Sequence, residues 1–187
     1  SFISATNLYL ETNDSRLMGN VLLDYRDWES MDDFLDSVYF AVHFEEGSYG
    51  GLQDAAYWAD ALWGMNERVW LHGDFSGPIS DFKADNVKLA FGNESTVDLD
   101  AYICGLPEID TTITGADIHH LHTTYAELAA IRHPAGVTMK AEKVMKALNN
   151  IDLEASFTGT IYDFFVTLGI ECEVGRMSGD ILLAKNS

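Results

Sequence analysis

The sequence is poor in basic residues, cysteine and proline. Among 187 residues, 11 Lys and Arg stand against 30 Asp and Glu, a formal net charge of −19. A field of this sign repels phosphate backbones and anionic lipid, so we expect neither nucleic acid nor a membrane surface as a partner. The two cysteines, Cys104 and Cys172, form no C-x-x-C motif. One disulfide and two buried thiols fit them equally well.

Long apolar runs and catalytic signatures are also missing. No stretch approaches the roughly 20 apolar residues of a membrane-spanning helix, so we expect no membrane span. No internal repeat, phosphate-binding glycine loop, dinucleotide fingerprint or G-x-S-x-G motif occurs, and nothing argues for an enzyme. With 47% hydrophobic and 22% charged residues, the composition is that of a folded protein. We therefore expect a single non-enzymatic domain over residues 1–187.

Acidic residues crowd one short segment, residues 24–36. They are Asp24, Asp27, Glu29, Asp32, Asp33 and Asp36. Carboxylate oxygens are the ligands that calcium prefers, so a calcium site is one interpretation. The segment lacks the D-x-D-x-D-G spacing of a calcium loop, and a solvated acidic surface is the other interpretation.

Alternation and turn residues predict strands in the first two thirds of the chain. Short β-like pieces occur at Ile3–Leu10 and Met18–Asp24. Ser30 is a good N-cap, and it begins a helix expected over residues 30–44. From Gly47 to Gly115, short apolar runs separated by glycines predict an antiparallel meander of at least five strands.

The spacing of apolar residues predicts helices and a closing hairpin in the last third. The helices are expected at residues 118–132, 138–149 and 160–168. The hairpin pairs Glu171–Val174 with Ile181–Ala184. The predicted fold class is therefore α+β, with a curved antiparallel sheet packed against helices on one face.

Several short phrases occur in an order and spacing that we find in one known family. They are Ser30-Met-Asp-Asp-Phe-Leu, Gly47-Ser-Tyr-Gly-Gly-Leu, Val87-Lys-Leu-Ala-Phe-Gly, Leu106-Pro-Glu-Ile-Asp and His122-Thr-Thr-Tyr-Ala-Glu-Leu. With them, about residues 21–168 resemble the HasA-type hemophores, haem-scavenging proteins that Gram-negative bacteria secrete. Residues 1–20 and 170–187 flank this core as extensions. The resemblance implies a HasA-like extracellular protein that captures haem and passes it to a cell-surface receptor.

The resemblance does not extend to the haem ligands. Family members hold haem iron between a histidine on a loop after the first helix and a tyrosine on a second loop. Leu62 stands near the tyrosine position, and Val69 stands near that of its supporting histidine. The substitutes within reach are His43, His72, Tyr57 and Met65. If haem binds, we expect one of these histidines to coordinate iron, with the tyrosine or the methionine as the other candidate ligand.

A cluster of polar residues marks the start of the helix predicted at residues 118–132. On a helix, His119 and His122 share a face, and with Asp117 they are candidate ligands for zinc or another transition metal. The alternative is a helix start whose histidines are satisfied by caps and water. His122 falls on the histidine of the family's own motif, which supports the structural interpretation.

The sequence is therefore compatible with two functions. The first is haem acquisition. The second is a structural role, as a haem-free subunit of an extracellular filament or surface assembly in which the segment Ser1–Leu10 adds a strand to a neighbour's sheet edge. Numbering that opens at Ser1 rather than Met suggests a processed or trimmed N-terminus, and processing would have removed an export signal. The resemblance to secreted hemophores implies an extracellular location.

Overall fold

One antiparallel sheet of eleven strands dominates the structure. The structure is a computed structural model, and it describes residues 1–55, 67–106, 108, 110–130, 149–160 and 162–184. The strands are β1 (Phe2–Glu11), β2 (Arg16–Asp24), β3 (Tyr39–Phe44), β4 (Tyr49–Gly51), β5 (Arg68–Gly77), β6 (Asp81–Phe91), β7 (Ser95–Cys104), β8 (Ile113–Thr124), β9 (Asn150–Gly159), β10 (Phe164–Cys172) and β11 (Gly175–Leu183). The described helices are a 3-10 helix at Trp28–Asp33 and three α-helices, α1 (Phe34–Ser37), α2 (Leu52–Ala55) and α3 (Tyr125–Ala130).

The predicted α+β fold class is wrong. The chain is mostly antiparallel β-sheet, and its described helices have at most six residues. Helices of one or two turns are too short to form the layer that was expected to cover one face of the sheet. Within the described ranges, no helix is long and apolar enough to cross a membrane.

The helix expected over residues 30–44 divides into short helical turns followed by a strand. The helical turns end at Ser37, and β3 begins at Tyr39. β3 pairs with β2 on one side and β5 on the other, so its backbone groups have partners on both sides. Aromatic and β-branched residues between Tyr39 and Phe44 fit such a position well. The spacing of apolar residues in this segment was compatible with a helix. The segment is a strand because it pairs with a neighbouring strand along each of its edges.

The helix expected over residues 118–132 is a strand as far as Thr124, and only α3 is helical. Ile118 lies opposite Leu99, whereas Leu121 lies opposite Val97. Both therefore face the same side of the sheet, because a β-bulge between them shifts the alternation by one residue. A bulged strand thus reproduces the three-residue spacing of a helix, and this misled the prediction.

The remaining expectations for the last third differ from the structure in other ways. Residues 164–168 of the helix expected over residues 160–168 belong to β10. The helix expected at residues 138–149 lies almost wholly outside the described residues. A closing hairpin exists, but its register is not the one predicted, because Cys172 pairs with Gly175 across a tight turn.

Strand prediction succeeded in the first part of the chain. β1 and β2 form where they were expected, and β1 pairs with β2 of its own chain. The antiparallel order expected between Gly47 and Gly115 is also found. From β5 to β11 the strand order follows the chain order, and the two edges of the sheet are β1 and β11.

The register of the strands defines two different faces, because residues directly opposite each other share a face. We call one the aliphatic face. It carries a continuous row of Leu71, Leu89, Val97, Leu121, Leu153, Ile170 and Met177. Buried side chains of the small core, Val87 and Ile151 among them, lie on this face. We call the other the histidine face, which carries His43, His72, His120 and His122.

A single carboxylate joins α3 to the turn between β6 and β7. Oε1 of Glu127 accepts hydrogen bonds from the backbone N–H of Asn93 at 2.5 Å and of Glu94 at 3.1 Å. Oε2 accepts one from the hydroxyl of Ser95, which is itself 2.7 Å from the hydroxyl of Thr123. The Ser95 hydroxyl first, and then the Asn93 N–H, hold the pKa of Glu127 below its usual value.

The turn that Glu127 holds depends on a glycine. Gly92 has φ +62°, a conformation that L side chains rarely adopt. A Cβ at this position would also lie 2.5 Å from Oε1 of Glu127. Backbone geometry and close approach therefore both favour glycine here.

We predict that Glu127→Gln destabilises the protein by about 1–2 kcal/mol at neutral pH, because it weakens charge-assisted hydrogen bonds. A lowered folded-state pKa contributes stability that is present above the unfolded-state pKa and is lost as pH falls through the folded-state pKa. The gap between wild type and variant should therefore shrink on acidification from about pH 7 to about pH 3. Urea unfolding across this range measures it. Glu94→Gln is the control, because it makes the same charge change in the same turn. A gap independent of pH would contradict the role given to this carboxylate.

Candidate functional site

The structure brings together two of the four predicted haem-ligand residues, His43 and His72. Their ring centroids are 5.6 Å apart, in an edge-to-face arrangement. Nδ1 of His43 lies 2.7 Å from Oδ1 of Asp74, which is directly opposite it on β5. A carboxylate partner at Nδ1 fixes the ring and leaves Nε2 available for a ligand. Tyr57 and Met65, the other two predicted residues, lie outside the described residues.

His72 has an unusual surrounding. Its Nδ1 is buried and has no hydrogen-bond partner in the described part of the chain. Burying a polar atom without a partner is costly, and such atoms are rare in folded proteins. The atom is therefore a candidate contact for a group that this chain does not itself supply.

A shallow groove of about 390 Å³ lies beside His72 on the histidine face. One row across four strands forms its floor, in the order His72, Lys88, Asp98 and His120. Trp70 borders the groove and is 44% exposed. The groove thus combines a flat aromatic surface, two imidazoles, one lysine and the carboxylates of Glu46 and Asp98. The aromatic surface and the imidazoles suit a flat ligand.

His119 belongs to a second group of polar contacts, which spans β7 and the bulges of the two strands beside it. Nε2 of His119, in the bulge of β8, lies 2.8 Å from Oδ2 of Asp100. The other oxygen of this carboxylate accepts a hydrogen bond at 2.6 Å from the backbone N–H of Asn86, in the bulge of β6. The hydrogen bond between His119 and Asp100 is the largest cause of both pKa shifts. It raises the pKa of His119 and lowers the pKa of Asp100. One carboxylate on β7 therefore joins the irregular parts of both neighbouring strands.

A third group pairs two histidines with one acid. Oδ1 of Asp152 lies 2.7 Å from Nδ1 of His122 and 3.7 Å from Nε2 of His120. The two histidines are two residues apart on β8, and residues at this spacing in a strand share a face. Sequence reasoning missed this grouping because it placed the segment on a helix. Each of the segments His120-Leu-His122 and Asp152-Leu-Glu154 alternates polar and apolar residues. This alternation was the signal for two strands.

The predicted metal ligands do not come together. His119 binds Asp100, His122 binds Asp152, and Asp117 accepts a hydrogen bond from Ser156 at 2.7 Å. The helical spacing that would align the two histidines is absent, because both lie on β8. Over the described ranges, no group of three or more His, Cys, Asp or Glu side chains is arranged to hold a metal ion.

The acidic segment and the cysteines also have definite places. Residues 24–36 extend from the end of β2 through the 3-10 helix into α1. The calcium interpretation of this segment stays a prediction. Cys104 and Cys172 are both free thiols, so no disulfide joins them.

The two edge strands form the most exposed part of the sheet. Every residue of β11 is exposed, as are nine of the ten residues of β1. Nineteen large hydrophobic side chains are exposed in the described chain, and nine of them lie on these two strands. They are Phe2, Ile3, Leu8, Tyr9, Leu10, Met177, Ile181, Leu182 and Leu183.

Comparison with known proteins gives no family for this chain. No family model, curated protein or solved structure matches it.

We predict that Asp100→Asn lowers the pKa of His119 towards its usual value, because it removes the carboxylate that is the largest cause of the increase. Asp98→Asn should lower this pKa less, because Asp98 acts only through its charge at a distance. The amide oxygen of Asn can still accept the Asn86 N–H, so the bulge should persist. An NMR titration of the histidine ring protons measures both shifts. Equal shifts in the two variants would show that the contact with Asp100 is not decisive.

Proposed function

We propose that this protein is a structural subunit that self-assembles through the open edges of its sheet, in an extracellular setting. One observation carries the proposal: exposed large hydrophobic side chains are concentrated on β1 and β11, the strands whose outer edges pair with no other described strand. A monomeric protein rarely exposes apolar side chains in groups of this kind, and such groups mark interaction sites. An unpaired edge adds a row of backbone donors and acceptors ready for another strand.

The edges lack most of the devices that keep sheet edges apart. Natural edge strands are commonly short or carry lysine, proline or a bulge. β1 has ten residues and β11 has nine, with no lysine and no proline in either; their charged residues are Glu11 in β1 and Arg176 and Asp180 in β11. β1 does contain one bulge, at Asn7 with φ +53°. Long, apolar edges of this kind favour strand addition as the mode of association.

The net charge opposes assembly and makes it sensitive to salt. Copies that each carry a formal charge of −19 repel one another. The Debye length falls from about 30 Å at 0.01 M to about 8 Å at 0.15 M ionic strength, which screens most of this repulsion. Raising the ionic strength over this range should therefore promote association.

We predict that the full chain forms species larger than a monomer, in proportions that rise with concentration and salt. The variant Leu10→Lys/Met177→Lys places a charge on each edge, and its half-assembly concentration should be at least about tenfold higher. Sedimentation velocity and light scattering measure this.

The control is Ile113→Lys/Phe165→Lys. These side chains are 45% and 46% exposed, close to the 47% of Leu10, but they lie on interior strands. The control adds the same charge but leaves both edges unchanged. It should therefore assemble like wild type. A wild-type protein that stays monomeric at about 100 μM in 0.15 M salt would refute the proposal.

A second candidate function is haem binding, which the resemblance to hemophores implies. It is supported by the contact between His43 and His72 beside the Trp70 groove, and by the unpartnered Nδ1 of His72. Both rings project from one face of the sheet, so they are not placed to hold iron from opposite sides of a porphyrin. One imidazole, from His72 or His43, would serve as the iron ligand, and Lys88 would be the basic side chain of the groove available to a carboxylate of the ligand. A cell-surface haem receptor would then be the partner.

If the second candidate is correct, titrating the protein with haemin should give a Soret band near 400 nm with a saturable end point. The variant His43→Ala/His72→Ala should lose this band, because it removes both nearby imidazoles. The variant His119→Ala/His122→Ala removes two histidines elsewhere on the same face and should retain it. Unchanged uptake in the first variant would exclude this pair as the ligand source.

A further inference from the structure

We propose that the assembly is polar and head-to-tail: β11 of one copy pairs with β1 of the next in antiparallel orientation, so one sheet continues through successive copies. This inference rests on the proposed function of self-assembly. It specifies the partner as a second copy of this chain and names which edge meets which. Strand direction, charge and side-chain order each support it.

Strand direction is compatible with this arrangement. Ten strands lie side by side from β1 to β11, and each is antiparallel to its neighbours. The first and the tenth strand therefore run in opposite directions. A second copy that continues the sheet, with the rotation that sheet twist imposes, therefore has its β1 antiparallel to β11 of the first. In a continuous sheet the histidine faces of both copies also remain on the same face.

Charge at the two ends of one row fixes the register of the junction. Directly opposite residues form a row that crosses the whole sheet: Glu11, Arg16, Tyr49, Trp70, Ala90, Thr96, His122, Asp152, Glu171 and Arg176. The row begins with an acid on β1 and ends with a base on β11. Continued into the next copy, it places Arg176 opposite Glu11. Opposite charges at directly opposed positions stabilise strand pairs.

The charges near this junction alternate over four strands. Within one copy, Arg16 lies 2.7 Å from Glu11 and Arg176 forms an ion pair with Glu171. The junction would extend these two pairs into the order Glu171, Arg176, Glu11 and Arg16. Acidic and basic side chains would then alternate across the interface. The junction would therefore be attractive locally, although the whole molecule is strongly acidic.

Apolar side chains match in the same register. One residue further along, Met177 would lie opposite Leu10 of the next copy. Within one copy, Met177 pairs with Ile170 and Leu10 with Leu17, and both belong to the aliphatic face. The row of aliphatic side chains that ends at Met177 would therefore continue across the junction. Beyond the bulge at Asn7, Leu183 would come opposite Ile3. These two pairs would cover four of the nine exposed large hydrophobic side chains on the two edges.

Other pairings of the same edges fit less well. Pairing Arg176 with Glu11 of the same chain would close a barrel without the stagger between first and last strands that barrels require. In a symmetric antiparallel pair of β1 strands, Glu11 of one copy would lie beside the N-terminal end of β1 in the other copy. Arg176 lies on β11 and would take no part in that junction. Only the head-to-tail pairing uses the opposite charges at both ends of the row.

The test uses two variants of the full chain, each with one edge blocked. Ile3→Lys/Leu10→Lys blocks β1, and Met177→Lys/Leu183→Lys blocks β11. Each variant alone should remain monomeric at concentrations where wild type assembles. A 1:1 mixture should give a dimer and nothing larger, because one intact β11 edge meets one intact β1 edge. Sedimentation velocity on the separate and mixed variants measures this, with Ile113→Lys/Phe165→Lys as the matched charge control.

The outcomes separate this inference from the proposed function. If one blocked variant dimerises by itself, association is symmetric through its intact edge; the head-to-tail inference fails while self-assembly stands. If wild type assembles but the mixture stays monomeric, the junction does not join β11 to β1 and the inference also fails. If wild type does not assemble at all, both fail. Hydrogen exchange of the mixed dimer, with protection gained only in one β1 and one β11, would support the inference directly.

Discussion

Main-chain hydrogen bonds between neighbouring antiparallel strands hold the described chain together. Among the described residues, the buried hydrophobic side chains are Tyr25, Val38, Ala84, Val87, Val97 and Ile151, a small core beside long strand ladders. Interior strands satisfy their backbone groups on both sides, whereas β1 and β11 do so on one side only. The same interaction that builds the sheet is therefore incomplete at its two ends, and this makes the edges the natural place for association.

The histidine face is organised by carboxylates on adjacent strands. His43, His119 and His122 each contact an aspartate within 2.8 Å on a neighbouring strand. These contacts orient the rings, and they also connect the strands through side chains. His72 is the exception, since its buried Nδ1 has no partner among the described residues. The two candidate functions use different parts of the molecule, the middle of this face and the edges, so they do not exclude each other.

Sequence reasoning found β1 and β2 where they were expected, although β1 contains a bulge at Asn7. It failed for β8. In β8, a bulge placed Ile118 and Leu121 three residues apart on one face, which is the spacing of a helix. A local pattern cannot separate these two cases, because the strand is decided by its pairing with β7 and β9. The pairing of His43 with His72 likewise depends on the register of β3 against β5, which the local sequence does not specify.

The order of strands along the chain has a consequence for folding. Every described strand from β5 to β11 pairs with its neighbour in sequence, and most of these pairs are joined by short turns. Short connections close with little loss of chain entropy, so hairpins such as β6–β7 and β10–β11 can form early and independently. The join between β8 and β9 spans residues 125–149 and is more costly to close. The sheet should therefore grow as two separately nucleated parts that dock along the β8–β9 seam, and that docking is expected to limit the rate of folding.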